Sequence, residues 1–161
     1  LGMSAAGKSS IGSLVAKKLK LNFTDIDLEI EKISGKSINK IFQTKGEKSF
    51  RELEEKITLK KLNLSSSVIS LGGGAFMNKK IRTEILSNHI SFWLNWSEEE
   101  LLNRIKISKK RPLALNLNDN ELIDLMKKRS YIYSEALYKI ECDNLSKNEI
   151  VNKVLEIYET R

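Results

Sequence analysis

Eight consecutive residues, Gly2-Met3-Ser4-Ala5-Ala6-Gly7-Lys8-Ser9, fit the pattern G-x-x-x-x-G-K-[ST]. In such a loop the glycines let the backbone fold tightly, so that successive N–H groups aim at phosphate oxygens. Lys8 supplies a full charge for the β- and γ-phosphates of a nucleotide, and the Ser9 hydroxyl is suited to Mg²⁺. A following helix adds the partial positive charge of its N-terminus. Loops of this kind serve ATPases, GTPases, nucleotide kinases and small-molecule kinases alike. The loop therefore fixes a nucleotide and leaves the acceptor to be read elsewhere.

Four further groups could recognise an acceptor. Asp25-Ile26-Asp27 closes an alternating segment, and alternation places both carboxylates on one side of an extended chain. One can serve the metal and the other an acceptor hydroxyl. Arg51 and Glu54 are three apart on a charged amphipathic segment and so share a helix face. Arg51 can grip a carboxylate with two parallel hydrogen bonds while Glu54 holds its guanidinium. Gly72-Gly73-Gly74 directly follows the apolar run 67–71, where backbone can approach a ligand closely. Finally, Lys109-Lys110-Arg111-Pro112-Leu113 opens an aperiodic stretch and is followed by Arg129 and Tyr133. Residues 108–120 read as a flap carrying Arg111 toward the phosphates.

These groups require a scaffold that brings them to one edge. Helical spacing is expected over 8–20, from Asp27 to 34, from a Ser37 cap through Phe42, and over 47–62, 97–107, 119–138 and 146–159. Strands are expected at 21–25, 67–71, 90–94 and 138–142. Strands alternating with helices predict an α/β domain with a parallel sheet. Pro112 is the only proline, so helices elsewhere run unbroken by that residue.

Size and composition narrow the classes. With 161 residues the chain fits one compact domain. The net charge of +7 is compatible with nucleic acid, an anionic membrane face or small anionic substrates. The basic residues are spread along the chain and form no arm, which disfavours nucleic acid. No apolar run approaches the about 20 residues of a membrane helix, and no signal peptide is expected. The lone Cys142 excludes an intrachain disulfide and reads as a small buried hydrophobe. The lone His89 has no metal partners nearby in sequence and reads as structural or exposed.

The combination G-x(4)-G-K-S, D-x-D, F-R-x-x-E, G-G-G, R-P-L and R-x-x-x-Y, in this order and spacing, resembles the shikimate kinase family nearly end to end. The resemblance implies a three-layer P-loop fold related to nucleoside monophosphate kinases, with a five-stranded parallel sheet between helices. Its first strand is expected immediately before the loop, where this sequence starts at Leu1, so that strand is carried as missing or truncated. The implied reaction is ATP plus shikimate giving ADP and shikimate 3-phosphate, a step of aromatic amino-acid biosynthesis.

The resemblance also implies roles. Asp27, Lys8 and Arg111 form the catalytic set. Gly2, Ala5, Ala6, Gly7, Lys8, Ser9 and Ser10 cradle the nucleotide, with Arg104 stacking on adenine, Pro112 nearby and Arg111 on the γ-phosphate. Ser9 and Asp25 serve Mg²⁺, Asp25 through water. Arg51 and Arg129 clamp the shikimate carboxylate. Gly72, Gly73 and Gly74 approach by backbone, Glu54 supports Arg51, and Phe42 and Phe50 form walls. The acceptor region spans about 27–62 and the lid about 108–120 of a single domain, 1–161. Shikimate is the expected partner, with no nucleic acid and no membrane, for a monomer in the cytoplasm. Three rivals remain at this point: a gluconate kinase, a nucleotide-binding regulatory module and a nucleic-acid-binding protein. The G-G-G run and F-R-x-x-E favour shikimate over gluconate.

Overall fold

A computed structural model describes residues 1–64, 66–108 and 117–161. The phosphate loop runs straight into α1 (Lys8–Leu19), followed by β1 (Asn22–Asp25) and α2 (Ile26–Ser34). A long α3 (Ile38–Leu62) leads to β2 (Ser67–Ser70), a 3₁₀ turn (Ala75–Met77) and α4 (Lys79–Asn88). Then come β3 (Phe92–Asn95), α5 (Glu98–Ser108), α6 (Asp119–Tyr133), β4 (Tyr138–Glu141) and α7 (Lys147–Glu159).

The strands pair in parallel, as the alternation of strands and helices requires. β1 runs beside β2, with Asn22 opposite Ser67 and Asp25 opposite Ser70. β3 runs beside β4, with Phe92 opposite Tyr138 and Asn95 opposite Glu141. Leu1 lies against β3: its nitrogen donates to the Phe92 carbonyl at 2.6 Å, and its carbonyl accepts from the Leu94 N–H at 3.0 Å. Between the two pairs runs a cleft of about 350 Å³ walled by Ile11, Val15, Ile69, Leu71, Phe92 and Leu94. The described residues thus supply four strands of the expected sheet, in two pairs separated by that cleft.

The apolar positions of the helices face the strands. α1 packs on β1, β2 and α7, burying Ile11, Val15 and Ala16. It stops at Lys20, whose φ of 55° and amide bonds back to Ala16 and Lys17 close the helix. α3 packs on both α2 and α4, and these helices bury Ile26, Ile30, Ile57 and Ile81. Each such side chain contributes about 1.5–3 kcal/mol by leaving water.

The two helices expected around 37–62 are both present within α3, which breaks at Gly46, whose φ of 78° and ψ of 172° are not helical. Ser37 caps it as expected, accepting from the Lys40 N–H at 3.3 Å. Two boundaries differ from the sequence reading. The helix expected to reach residue 138 ends at Tyr133. There the chain turns so that the Leu137 N–H reaches Ser91 Oγ at 3.0 Å and the Tyr138 N–H reaches the Ser91 carbonyl at 2.9 Å. Those two bonds start β4, and a continued helix would forfeit them. The third strand is Phe92–Asn95 rather than 90–94, because Asn95 still pairs with Glu141 while Ile90 has no ladder partner.

Candidate active site

The phosphate loop is shaped by three left-handed residues: Gly2 (φ 138°), Ala5 (φ 63°) and Gly7 (φ 79°). Ala5 is the costly one, since a Cβ disfavours this region. The Lys8 ammonium is nearly buried and donates to the Met3 carbonyl at 2.7 Å, tying the base of the loop to its crown. Ser9 Oγ donates to Asp25 Oδ2. Ser10, at the exposed flank, donates to the Gly7 carbonyl at 3.0 Å.

The D-x-D reading needs a correction. Asp25 and Asp27 do not share one side of an extended chain, because the strand ends at Asp25. Asp25 is instead the N-cap of α2: its Oδ1 accepts from the Asp27 N–H at 2.9 Å and the Leu28 N–H at 3.3 Å. The helix turn then separates the two carboxylates. Asp25 is committed to Ser9 and the cap, while Asp27 lines a cavity of about 440 Å³.

That cavity gathers the expected acceptor residues. Arg51, Glu54, Arg129, Gly73 and Gly74 all reach it, with Met3 and Ser4 of the phosphate loop beside them. Phe42 and Phe50 form an aromatic wall, ring centres 4.7 Å apart. Arg51 Nη1 donates to Glu54 Oε2 at 2.6 Å, and Glu47 Oε1 holds Nε and Nη2 at 3.3 Å. Burial pushes the Glu54 carboxyl up, with Arg51 pulling it back down and the nearby Asp27 charge pushing the same way as burial. Glu54 Oε1 is buried without a hydrogen-bond partner among the described residues.

The three glycines are explained by what crowds them. A Cβ at Gly72 would lie 2.7 Å from both Asp27 Oδ1 and Glu54 Oε1. A Cβ at Gly74 would lie 2.7 Å from the Arg51 guanidinium carbon. Both positions must be glycine for the two carboxylates and the arginine to stand where they do. Tyr133, fully buried, donates its hydroxyl to the Gly73 carbonyl and so fastens this run to α6. One turn earlier on the same helix, Arg129 Nη1 lies 3.9 Å from the Met3 sulfur, a weak acceptor.

Arg104 lies apart from the acceptor cavity. Its guanidinium sits 3.6 Å above the Trp96 ring, and its Nε donates to Glu100 at 2.7 Å. It borders a separate cleft of about 430 Å³ with Asp143, Asn144 and Leu145. Arg111 and Pro112, and most of the lid expected over 108–120, lie outside the described residues.

Sequence reasoning missed Glu47, Met3 and Trp96. Glu47 carries a signal in hindsight, since it lies four residues before Arg51 on the same helix face. Met3 and Trp96 carry none, because their contacts join segments remote in sequence. Cys142 is buried as expected, and burial pushes its thiol up to about 12, which keeps it protonated. His89 pairs loosely with Glu84 at 3.4 Å. Among the described residues no helix is long and apolar enough to cross a membrane.

Comparison with known proteins agrees with this geometry. The family model described as shikimate kinase matches residues 4–159. The chain is 38% identical over 155 residues to a shikimate kinase of Persephonella marina, covering 96% of this chain and 94% of that protein. Its fold superimposes on the crystal structure of shikimate kinase from Aquifex aeolicus with a TM-score of 0.88 at 34% identity, covering 99% and 94% of the two chains. It superimposes equally on shikimate kinase from Acinetobacter baumannii in complex with shikimate, with a TM-score of 0.89 at 31% identity over 99% and 90%. The chain therefore belongs to the shikimate kinase family, and it is an ATP-dependent phosphotransferase with the α/β P-loop fold of that family.

Proposed function

We propose that the chain carries out the family reaction, ATP plus shikimate to ADP plus shikimate 3-phosphate, with the following division of labour. The loop from Gly2 to Ser10 holds the triphosphate, and the adenine rests against Arg104 with Pro112 nearby. Arg51 and Arg129 bind the shikimate carboxylate, Glu54 and Glu47 hold Arg51, and Phe42 with Phe50 walls the ring. The Gly72–Gly74 backbone closes the floor. Asp27 binds the hydroxyl that attacks the γ-phosphorus and orients it in line. As the new oxygen–phosphorus bond forms, the bond to the β–γ bridging oxygen breaks, ADP leaves, and the hydroxyl proton passes through Asp27 to solvent. In a loose transition state the protein mainly positions groups and neutralises charge. Lys8 and Arg111 supply positive charge to the transferred phosphoryl.

Mg²⁺ fits the residues present. The Ser9 hydroxyl and Asp25 carboxylate are joined at the foot of the phosphate loop. Such a small oxygen set suits an ion that keeps several waters and takes its remaining ligands from phosphates. Bound there, the ion would neutralise charge on the nucleotide phosphates, with Ser9 as its ligand and Asp25 orienting Ser9 and supporting the ion.

The observation carrying this reading is the convergence of Arg51, Arg129 and Asp27 on one cavity whose wall includes Met3 and Ser4 of the phosphate loop. The enzyme is proposed to act as a single-domain monomer in the cytoplasm, on small molecules rather than nucleic acid or membrane. A coupled ADP-release assay with shikimate, gluconate and a nucleoside monophosphate side by side tests the acceptor. Turnover is expected with shikimate alone, and comparable turnover of gluconate would reject the assignment.

A further inference from the structure

Trp96, just past the end of β3, is 7% exposed and has two separate contacts. Its indole Nε1–H donates to the Ala6 carbonyl at 3.1 Å. Its ring face carries the Arg104 guanidinium, whose central carbon lies 3.6 Å from the ring centre. A tryptophan is suited to this double duty, because its donor lies in the ring plane and its face attracts a cation. The bond to Ala6 falls beside the strained point of the phosphate loop, since Ala5 holds a φ of 63°. An alanine relaxes from that region unless neighbours restrain it. The accepting carbonyl belongs to the Ala6–Gly7 peptide, between Ala5 and Gly7 (φ 79°), so the Trp96 bond fixes the orientation of that peptide, which helps aim the loop's N–H groups. At the guanidinium edge, Arg104 Nε donates to Glu100 Oε1 at 2.7 Å. Trp96 and Glu100 together fix the plane of the guanidinium toward the cleft bordered by Asn144 and Leu145.

We propose that Trp96 is a positioning residue for the nucleotide, holding the phosphate loop in its phosphate-binding shape through Ala6 and presenting Arg104 to the base. The second half rests on the reading, given above, that the base lies against Arg104. Because one side chain serves both ends, the two ends of the nucleotide site are coupled.

Substitution separates the two duties. Trp96→Phe keeps a ring under Arg104 and removes the donor to Ala6. It is expected to lower kcat about tenfold. It should weaken competitive inhibition by inorganic tripolyphosphate, which has phosphates and no base, by about the same factor. Trp96→Leu removes the ring as well. It should weaken ATP binding further without weakening tripolyphosphate more than Trp96→Phe does. In the Trp96→Leu background, Arg104→Ala should cost little more, because the guanidinium has already lost its seat. Shikimate affinity, measured by calorimetry, should stay within about twofold of the parent in every variant, which reports an intact fold. Trp96→Phe carries the test if Trp96→Leu does not fold.

Parent-like kcat and tripolyphosphate inhibition in Trp96→Phe would overturn the loop half. A full, additive cost of Arg104→Ala in the Trp96→Leu background would overturn the base half. If Arg104→Ala alone leaves ATP binding unchanged, the base reading itself fails and takes the base half with it. The tripolyphosphate result then still decides the loop half by itself.

Discussion

Replacing Lys8 with alanine is expected to lower kcat by on the order of 10³-fold or more while shikimate affinity stays within about twofold. The Lys8 ammonium is nearly buried at the foot of the phosphate loop, 2.7 Å from the Met3 carbonyl. There it is a full charge in a site of low water content, where each electrostatic contact is worth more than at the surface. Charge develops on the transferred phosphoryl as the bond to ADP loosens, so the loss falls on the transition state and appears in kcat. The acceptor cavity draws its charged groups from α2, α3 and α6, and Lys8 is not among its lining residues. Steady-state ADP release gives kcat, and calorimetric titration gives shikimate affinity in the same preparation. Near-parental turnover would remove the phosphate loop from the mechanism.

Replacing Arg51 or Arg129 with alanine is expected to weaken shikimate binding by on the order of 10²-fold each, with ATP binding little changed. The two variants should differ in stability, and the difference tests the geometry. Arg51 is ion-paired to Glu54, which is 2% exposed, so Arg51→Ala leaves a buried carboxylate without its cation. The cost is about 1–3 kcal/mol. Arg129 has only the Met3 sulfur as its described hydrogen-bond partner and pulls on Glu54 less than Arg51 does, so Arg129→Ala should lose less stability than Arg51→Ala. The Arg51→Ala deficit should also depend on pH. Burial already raises the Glu54 carboxyl, and loss of Arg51 removes the largest opposing pull. A carboxyl raised in the folded state favours folding only while protonated. Its penalty therefore grows as pH climbs above the ordinary glutamate range and through the raised value. Thermal unfolding at about pH 5 and about pH 8 should show the larger deficit at the higher pH. Equal deficits at both would mean that Glu54 is not the group left exposed to burial.

How far the sequence could be read follows from which contacts are local. Lys8 and Ser9 follow from a contiguous pattern whose spacing alone dictates a phosphate cradle. Arg51 with Glu54 was legible because a helix turn brings them together, and the structure closes that pair at 2.6 Å. The run Gly72–Gly74 announced close approach, but what approaches could not be read. Asp27 comes from α2, and Arg51 and Glu54 from α3, brought together only by tertiary packing. The placement of Asp25 and Asp27 failed at a boundary. Alternation assumed the strand continued, whereas the Asp25 side chain captures two amides and starts a helix. The end of α6 was missed for a related reason, since the bonds from Leu137 and Tyr138 to Ser91 that stop it span 46 or more residues. Trp96 was invisible because its partner Ala6 is 90 residues away.

The central claim is that the acceptor is recognised by its carboxylate, held between Arg51 and Arg129 with a hydroxyl presented to Asp27. Initial rates of ADP release with shikimate and with its methyl ester, at equal ATP and Mg²⁺, test it directly. The ester keeps the ring and every hydroxyl but carries no charge for the two guanidinium groups, which are left poorly paired in the cavity. The account predicts a kcat/KM for the ester lower by on the order of 10³-fold or more. Equal kcat/KM for acid and ester would contradict it.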